Sequence, residues 1–147
     1  MEIAVLALGC FWGPEIKFSK IKGIIKTEVG YCGGNNSITT YKEVCSGKTN
    51  HAEVVKLDFD DKIITYEKIL KIFFQIHDPT TLNSQGPDFG TQYRSEIFYL
   101  NEKQKQIAVK VLKDINDRLS GKVVTKISLL KNYCPAEEYH QKYLEKK

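Results

Sequence analysis

Residues 6 to 18, LALGCFWGPEIKF, limit the possible folds more than any other stretch of the chain. They close an apolar run, EIAVLAL at residues 2 to 8, whose two faces are both apolar, as in a strand buried in the middle of a sheet. Gly9 stops the run, and Pro14 fits the opening turn of a helix that starts near Trp12 or Gly13. Cys10, Phe11 and the only tryptophan, Trp12, stand at the junction. A cysteine there sits among unpaired N–H groups at the positive end of a helix dipole, which favours thiolate over thiol. Cys10 is therefore either a nucleophile of lowered pKa or a small residue filling a tight turn. The two aromatics beside it either pack in the core or wall a small apolar pocket for a group such as a methyl.

Short elements alternate along the rest of the chain. GIIKTEVGY (23 to 31), HAEVVKLDF (51 to 59) and RSEIFYL (94 to 100) have strand character. YEKILKIFFQI forms a helix behind Thr65 as N-cap and ends at HDP; a further helix starts at Asn101, with Gln104 three residues on. In that last helix Ile107, Val111, Leu112, Ile115 and Leu119 form one apolar stripe for core packing. The order β-α-β, β-α-β predicts an α+β protein: a two-layer sandwich with a mixed or antiparallel sheet and a split βαβ (ferredoxin-like) core. With 147 residues, 41% of them hydrophobic, and no repeat or linker, residues 1–147 are expected to form a single catalytic domain.

The formal charge of +4 comes mostly from lysines interspersed with acidic residues, with only Arg94 and Arg118 as arginines, so no nucleic-acid stripe is expected. No stretch reaches the length of a membrane span, and MEIAVLALGC has neither a basic n-region nor a small-residue cleavage site. A cytoplasmic protein is the expectation. Cys10, Cys32, Cys45 and Cys134 form no C-x-x-C pair, which argues against a zinc cluster and, in that compartment, against a disulfide framework.

Two further stretches carry chemistry. Alternation in residues 51 to 59 puts Glu53, Val55, Leu57 and Phe59 on one strand face, so Glu53 is a carboxyl on the core face. Without an arginine or second lysine on that face it is expected to stay protonated near neutrality, poised as a general acid; the alternative is a strand-end glutamate reaching solvent. HDPTTLNSQGPDFGTQYRS (77 to 95) is a long polar loop of the kind that carries function, and it brings in Asp88 and Tyr93; residues 35 to 47 add Tyr41. Tyrosine hydroxyls are neutral donors suited to a polarised oxygen, though any one of them can equally be a packing residue.

Taken in order, GCFWGPE, GYCGG, TYKEVCSG, HAE, HDP, GTQYRS and PAEEYHQKYL resemble the peptide methionine sulfoxide reductases of the A type, over nearly the whole chain. The resemblance implies reduction of methionine S-sulfoxide, free or in proteins, without a bound cofactor or metal. It implies that Cys10 attacks the sulfoxide sulfur, that Phe11 and Trp12 hold the S-methyl group, and that Glu53, Tyr41 and Tyr93 contact and protonate the oxygen. Asp88 matches an aspartate that helps bind substrate. The sulfenic acid left on Cys10 is then reduced by thioredoxin, glutaredoxin or a small thiol. A monomer is expected. A thiol peroxidase or redox sensor, or a metal-binding module built from Cys10, Cys32, Cys45, His51 and His140, are the competing classes; neither needs both a methyl pocket and a buried acid.

Many members of that family carry resolving cysteines in a glycine-rich tail, whereas this sequence ends at YLEKK. The expectation is therefore an internal resolving thiol or direct reduction by an external one. Cys45, leading into an apolar strand, reads as a buried structural thiol. Cys32 lies between Tyr31 and glycines that suggest close packing. Cys134 precedes Pro135 in a segment expected to be irregular and outside the sheet, which makes it the resolving candidate, with Cys32 as the alternative.

Overall fold

The computed structural model describes residues 1–146. In chain order the elements are β1 (Glu2–Leu8), α1 (Trp12–Ser19), β2 (Ile24–Cys32), α2 (Tyr41–Cys45), β3 (Ala52–Phe59), α3 (Tyr66–Gln75), β4 (Ser84–Gln85), β5 (Asp88–Phe89), a 3-10 turn at Thr91–Tyr93, β6 (Ser95–Tyr99), α4 (Glu102–Arg118), β7 (Lys126–Leu129), β8 (Cys134–Pro135) and a second 3-10 turn at Glu138–His140. Among the described residues the main sheet runs β7-β6-β1-β3-β2-β8, and β4 pairs with β5 in a separate hairpin. β1 is central and antiparallel to both neighbours, β3 and β6, so both its faces are covered. Only the β6–β7 pair is parallel, which makes the sheet mixed.

Side-chain alternation divides the interior. Ala4, Leu6 and Leu8 of β1, with Val55, Leu57 and Phe59 of β3 and Ile97 of β6, meet Phe18 of α1, five side chains of α3 and Ala108 and Val111 of α4 in one core. The opposite face buries Val5, Ala7, Ala52, Val54 and Phe98 under Leu100, Leu130 and Tyr133. The helices start where side chains can cap them: Thr65 accepts from the Lys68 N–H at 3.1 Å, and Asn101 from the Gln104 N–H at 2.9 Å, while Gln104 reaches back to the Leu100 N–H at 3.0 Å. The α4 stripe packs inward through Ile107, Val111, Leu112 and Ile115, but Leu119 falls on the C-cap, where the helix leaves the core, and is exposed.

Two cysteines depart from the sequence expectation. Cys45 is exposed rather than buried, because it ends a five-residue helix whose inward side is taken by Val44; the next residue turns away from it. Cys134 lies within the sheet rather than outside it. The two-residue β8 pairs Tyr31 with Cys134 and Gly30 with Pro135 along the edge of β2, where a proline's missing N–H does no harm. Two residues are too few to leave a period in the sequence. Among the described residues no helix is long and apolar enough to cross a membrane.

Candidate active site

The junction after β1 is shaped by Gly9, whose φ is +95°; a Cβ there would lie 2.8 Å from the Cβ of Gln85. Only glycine lets the chain turn out of the sheet while β4 closes over it. Cys10 follows, half-buried, and then α1 begins with Phe11 as an N-cap that has no side-chain acceptor to offer. The Phe11 N–H instead donates to Glu53 Oε1 at 3.3 Å, joining the helix start to β3 across 42 residues.

That bond changes the electrostatics expected of Cys10. Burial pushes the thiol up to about 11, and of the free N–H groups at the helix start only that of Trp12 stabilises its thiolate; charge on Glu53, Asp88 and Cys45 pushes the same way. The resting nucleophile is a thiol and not the low-pKa thiolate that the helix-dipole argument predicts. The physical reason is that the apolar walls remove water while the Phe11 N–H is spent on the carboxyl.

Glu53 lies on the inward face of β3, opposite Tyr31 on β2, and is 1% exposed. Burial raises its pKa to about 8, the Phe11 N–H offsets part of this, and the nearby Asp88 charge adds to it. At neutral pH the carboxyl is mostly protonated, and its second oxygen, Oε2, has no hydrogen-bond partner among the described residues. It is a donor awaiting an acceptor.

Tyr41, at the start of α2, and Tyr93, in the 3-10 turn, lie close enough for the Tyr41 hydroxyl to act on that of Tyr93, and both feel the Glu53 charge. Burial pushes both above the ordinary tyrosine value, Tyr93 to about 12, so both are neutral donors. Asp88, half-buried on β5, is close enough for its charge to reach Cys10, Glu53 and Tyr93. The structure thus brings together Cys10, Phe11, Trp12, Tyr41, Glu53, Asp88 and Tyr93. It leaves Cys32 and Cys134 in other settings. Cys32 is fully buried with its thiol donating to Lys131 O at 3.2 Å, and Cys134 is half-buried with its thiol toward Thr39 O at 3.7 Å.

Sequence reasoning named His140 only as a ligand of the competing metal-binding module and gave no role to the other residues that hold the aromatic wall. His140 is buried among Phe11, Trp12, Tyr41 and Tyr139, with ring centroids 5.3, 5.7, 4.4 and 4.3 Å away. Its Nδ1 accepts from Trp12 Nε1 at 3.1 Å, and the other face of the indole stacks on Tyr143 at 3.9 Å. Glu137 accepts from the Tyr31 hydroxyl at 2.8 Å and from the Tyr41 N–H at 3.0 Å, Gln141 pairs with the Val29 backbone in both directions at 2.9 Å, and Glu15 accepts from the Lys142 N–H at 2.6 Å. All of the holding residues except Glu15 and Tyr31 lie in PAEEYHQKYL, and that motif was the available signal. Phe11 is buried behind this wall against Tyr31, and Trp12, half-buried, is its accessible part.

Clefts also lie elsewhere. One of about 300 Å³ between α3 and α4 is lined by Glu67, Lys71, Lys110, Asp114 and aliphatic neighbours, and holds no nucleophile. Chemistry locates this site: the half-buried Cys10 thiol beside a protonated carboxyl and neutral donors defines a thiol-dependent oxidoreductase. The chain belongs to the peptide methionine sulfoxide reductase family, whose profile matches residues 2–147. The peptide methionine sulfoxide reductase MsrA of Pelagibacter ubique is 78% identical over 147 residues, all of both chains. The reduced form of Mxr1 from Saccharomyces cerevisiae superposes with a TM-score of 0.95 at 41% identity, covering 99% of this chain and 85% of that one. Mxr1 in complex with Trx2 matches with a TM-score of 0.69 at 26% identity, covering 97% of this chain and 84% of that one. The protein is accordingly a peptide methionine sulfoxide reductase.

Proposed function

We propose that the protein reduces the S epimer of methionine sulfoxide, free or within oxidised proteins, with Cys10 as nucleophile and Glu53 as acid. The observation that supports this most is the buried, proton-bearing Glu53 bonded to the amide that follows Cys10. A sulfoxide sulfur becomes electrophilic only as its oxygen takes a proton, so the site needs an acid that is still protonated at neutral pH. The Cys10 sulfur bonds to the sulfoxide sulfur while Glu53 gives its proton to the oxygen, and the resulting carboxylate takes up the proton of the thiol. The bond from the substrate sulfur to oxygen then breaks as the oxygen passes to Cys10, and the bond between the two sulfurs breaks with it. Methionine leaves, reduced by two electrons, and Cys10 is left as a sulfenic acid, oxidised by two. This coupling explains how a thiol near pKa 11 can act: its base is created by the same step that activates the substrate.

Tyr41 and Tyr93 donate to the oxygen as charge develops on it. Trp12, with Phe11 behind it, receives the S-methyl group, and Asp88 positions the substrate. The sulfenic acid is reduced through a disulfide by a thioredoxin, a reading supported by Mxr1 having been solved with Trx2; glutaredoxin or a small thiol can perform the same exchange, and no bound cofactor is needed. We assign the whole to a single, monomeric, cytoplasmic catalytic domain. Its four long strands, β6-β1-β3-β2, with α1 and α3 as crossovers, support a split βαβ (ferredoxin-like) core. The test is turnover of each sulfoxide epimer with dithiothreitol and then with thioredoxin. Methionine is expected from the S epimer alone. Consumption of hydrogen peroxide with neither epimer reduced would instead identify a thiol peroxidase.

A further inference from the structure

We propose that Cys45 is the thiol that resolves oxidised Cys10, so that each turnover passes through a Cys10–Cys45 disulfide. This rests on the reading that Cys10 is left as a sulfenic acid. The chain has four cysteines, and the fold ranks the three partners open to Cys10. Cys32 is sealed in the second core and paired with Ala52 in the β2–β3 ladder, so moving it would open the middle of the sheet. Cys134 is held in β8 by its ladder with Tyr31, its sulfur turned toward Thr39 O. Cys45 alone is exposed.

Cys45 also borders the site. It lies one helical turn after Tyr41 on α2, close enough for the Tyr41 hydroxyl to lower its pKa against the larger effect of burial. That same tyrosine packs its ring 4.4 Å from His140, which in turn packs on Phe11, the residue next to Cys10. The sulfurs of Cys45 and Cys10 are close enough for charge on one to be felt at the other, and Cys45 also feels the Glu53 and Glu137 charges. Movement of α2 is cheap: of its five residues only Val44 is buried, none belongs to a strand, and Gly47 follows with φ +77° and open space around it. Closing a disulfide needs the two Cα atoms within roughly 4.4–6.8 Å, a shift that a short surface helix can make without breaking the sheet ladder.

The chemistry balances. The Cys45 sulfur attacks the sulfur of Cys10–SOH, the S–O bond of the sulfenic acid breaks, and its hydroxyl leaves as water with the proton of Cys45. A dithiol of the thioredoxin class then supplies the two electrons that restore both thiols. Burial raises the Cys45 thiol, and the Tyr41 hydroxyl, which in the first half-reaction faces the sulfoxide oxygen, offsets part of that rise in the second.

The experiment uses the whole protein with one equivalent of methionine S-sulfoxide and no reductant, followed by disulfide mapping by mass spectrometry and quantitation of methionine. One methionine per enzyme with a Cys10–Cys45 cross-linked peptide is the expected result. One methionine per enzyme with a Cys10–Cys134 or Cys10–Cys32 bridge, or with no bridge and a dimedone-reactive Cys10, overturns the assignment while leaving the reductase reading intact; no methionine at all overturns both. In Cys45→Ser, dimedone should label most of Cys10, and thioredoxin-dependent turnover should fall at least ~10-fold as exchange loses its intramolecular step. Wild-type turnover in Cys45→Ser rejects the proposal.

Discussion

Replacing Glu53 by glutamine should cut activity sharply and, at neutral pH, stabilise the protein. In the unfolded chain the carboxyl has its ordinary pKa, 4.5, whereas burial in the native state lifts it to about 8. Between those values the unfolded chain has released a proton that the folded one keeps, so wild-type stability falls as pH rises from 4.5 to about 8 and levels off above. At pH 7, about 2.5 pH units above the unfolded value, folding must restore that proton at a cost of about 3 kcal/mol. Glutamine keeps the shape and the acceptor for the Phe11 N–H but never ionises; its extra N–H, at a position where Oε2 already lacks a partner, returns about 1 kcal/mol of that gain. The net of about 2 kcal/mol corresponds to roughly 4–8 °C in a domain of this length. Thermal melts of both proteins from pH 4 to 8.5 measure it: at the acid end, where wild type has no proton to regain, Glu53→Gln should melt slightly lower, and as pH rises past the ordinary carboxyl value it should overtake wild type and gain on it progressively toward pH 8. Sulfoxide reduction should meanwhile drop ~10²-fold or more, as expected for a lost general acid. A melting difference that does not grow with pH would show that Glu53 is ionised in the folded protein and that the buried-acid argument is wrong.

Cys10→Ser should fold as wild type and form no methionine, since a hydroxyl at that position cannot be oxidised to a sulfenic acid; retained turnover removes Cys10 from the mechanism. Alkylation of Cys10 in the free enzyme should accelerate with pH well beyond 9, following its raised pKa, and a rate already at its plateau at pH 7 would contradict the burial argument. The value of kcat/KM should decline as pH rises through about 8 and Glu53 loses its proton, a limb absent from the residual activity of Glu53→Gln. His140→Phe keeps a ring in the wall but removes the acceptor for Trp12, so KM for sulfoxide should rise more than kcat falls; an unchanged KM would show that the indole is held by Tyr143 alone.

Where an element is longer than its side-chain period, the sequence was informative. β1, β3, α3 and α4 could all be read from their apolar patterns, as could the inward aim of Glu53, because burial imposes period on every residue of a long element. α2, β7 and β8 could not, because five, four and two residues carry too little pattern; with α2 and β8 went the settings of Cys45 and Cys134. The pKa of Cys10 was misjudged for a different reason. Its position at a helix start was legible, but the Phe11 N–H turning to a carboxyl 42 residues away is a tertiary fact. Tyr41, Tyr93 and Asp88 were found as residue types suited to the chemistry, while the role of His140 depends on a bond spanning 128 positions that no local pattern encodes.

That bond has a consequence for the order in which the enzyme is made. A ribosome adding ~5–20 residues per second releases β1, Cys10 and Glu53 well before the segment that carries Glu137, His140, Gln141 and Tyr143. Until that segment docks, Trp12 has neither its acceptor nor its stacking partner, and Tyr41 lacks the carboxylate that holds its amide. The unfinished polypeptide therefore carries the Cys10 sulfur before it has a shaped aromatic wall, and catalytic competence waits until residues 137–143 have been made and docked.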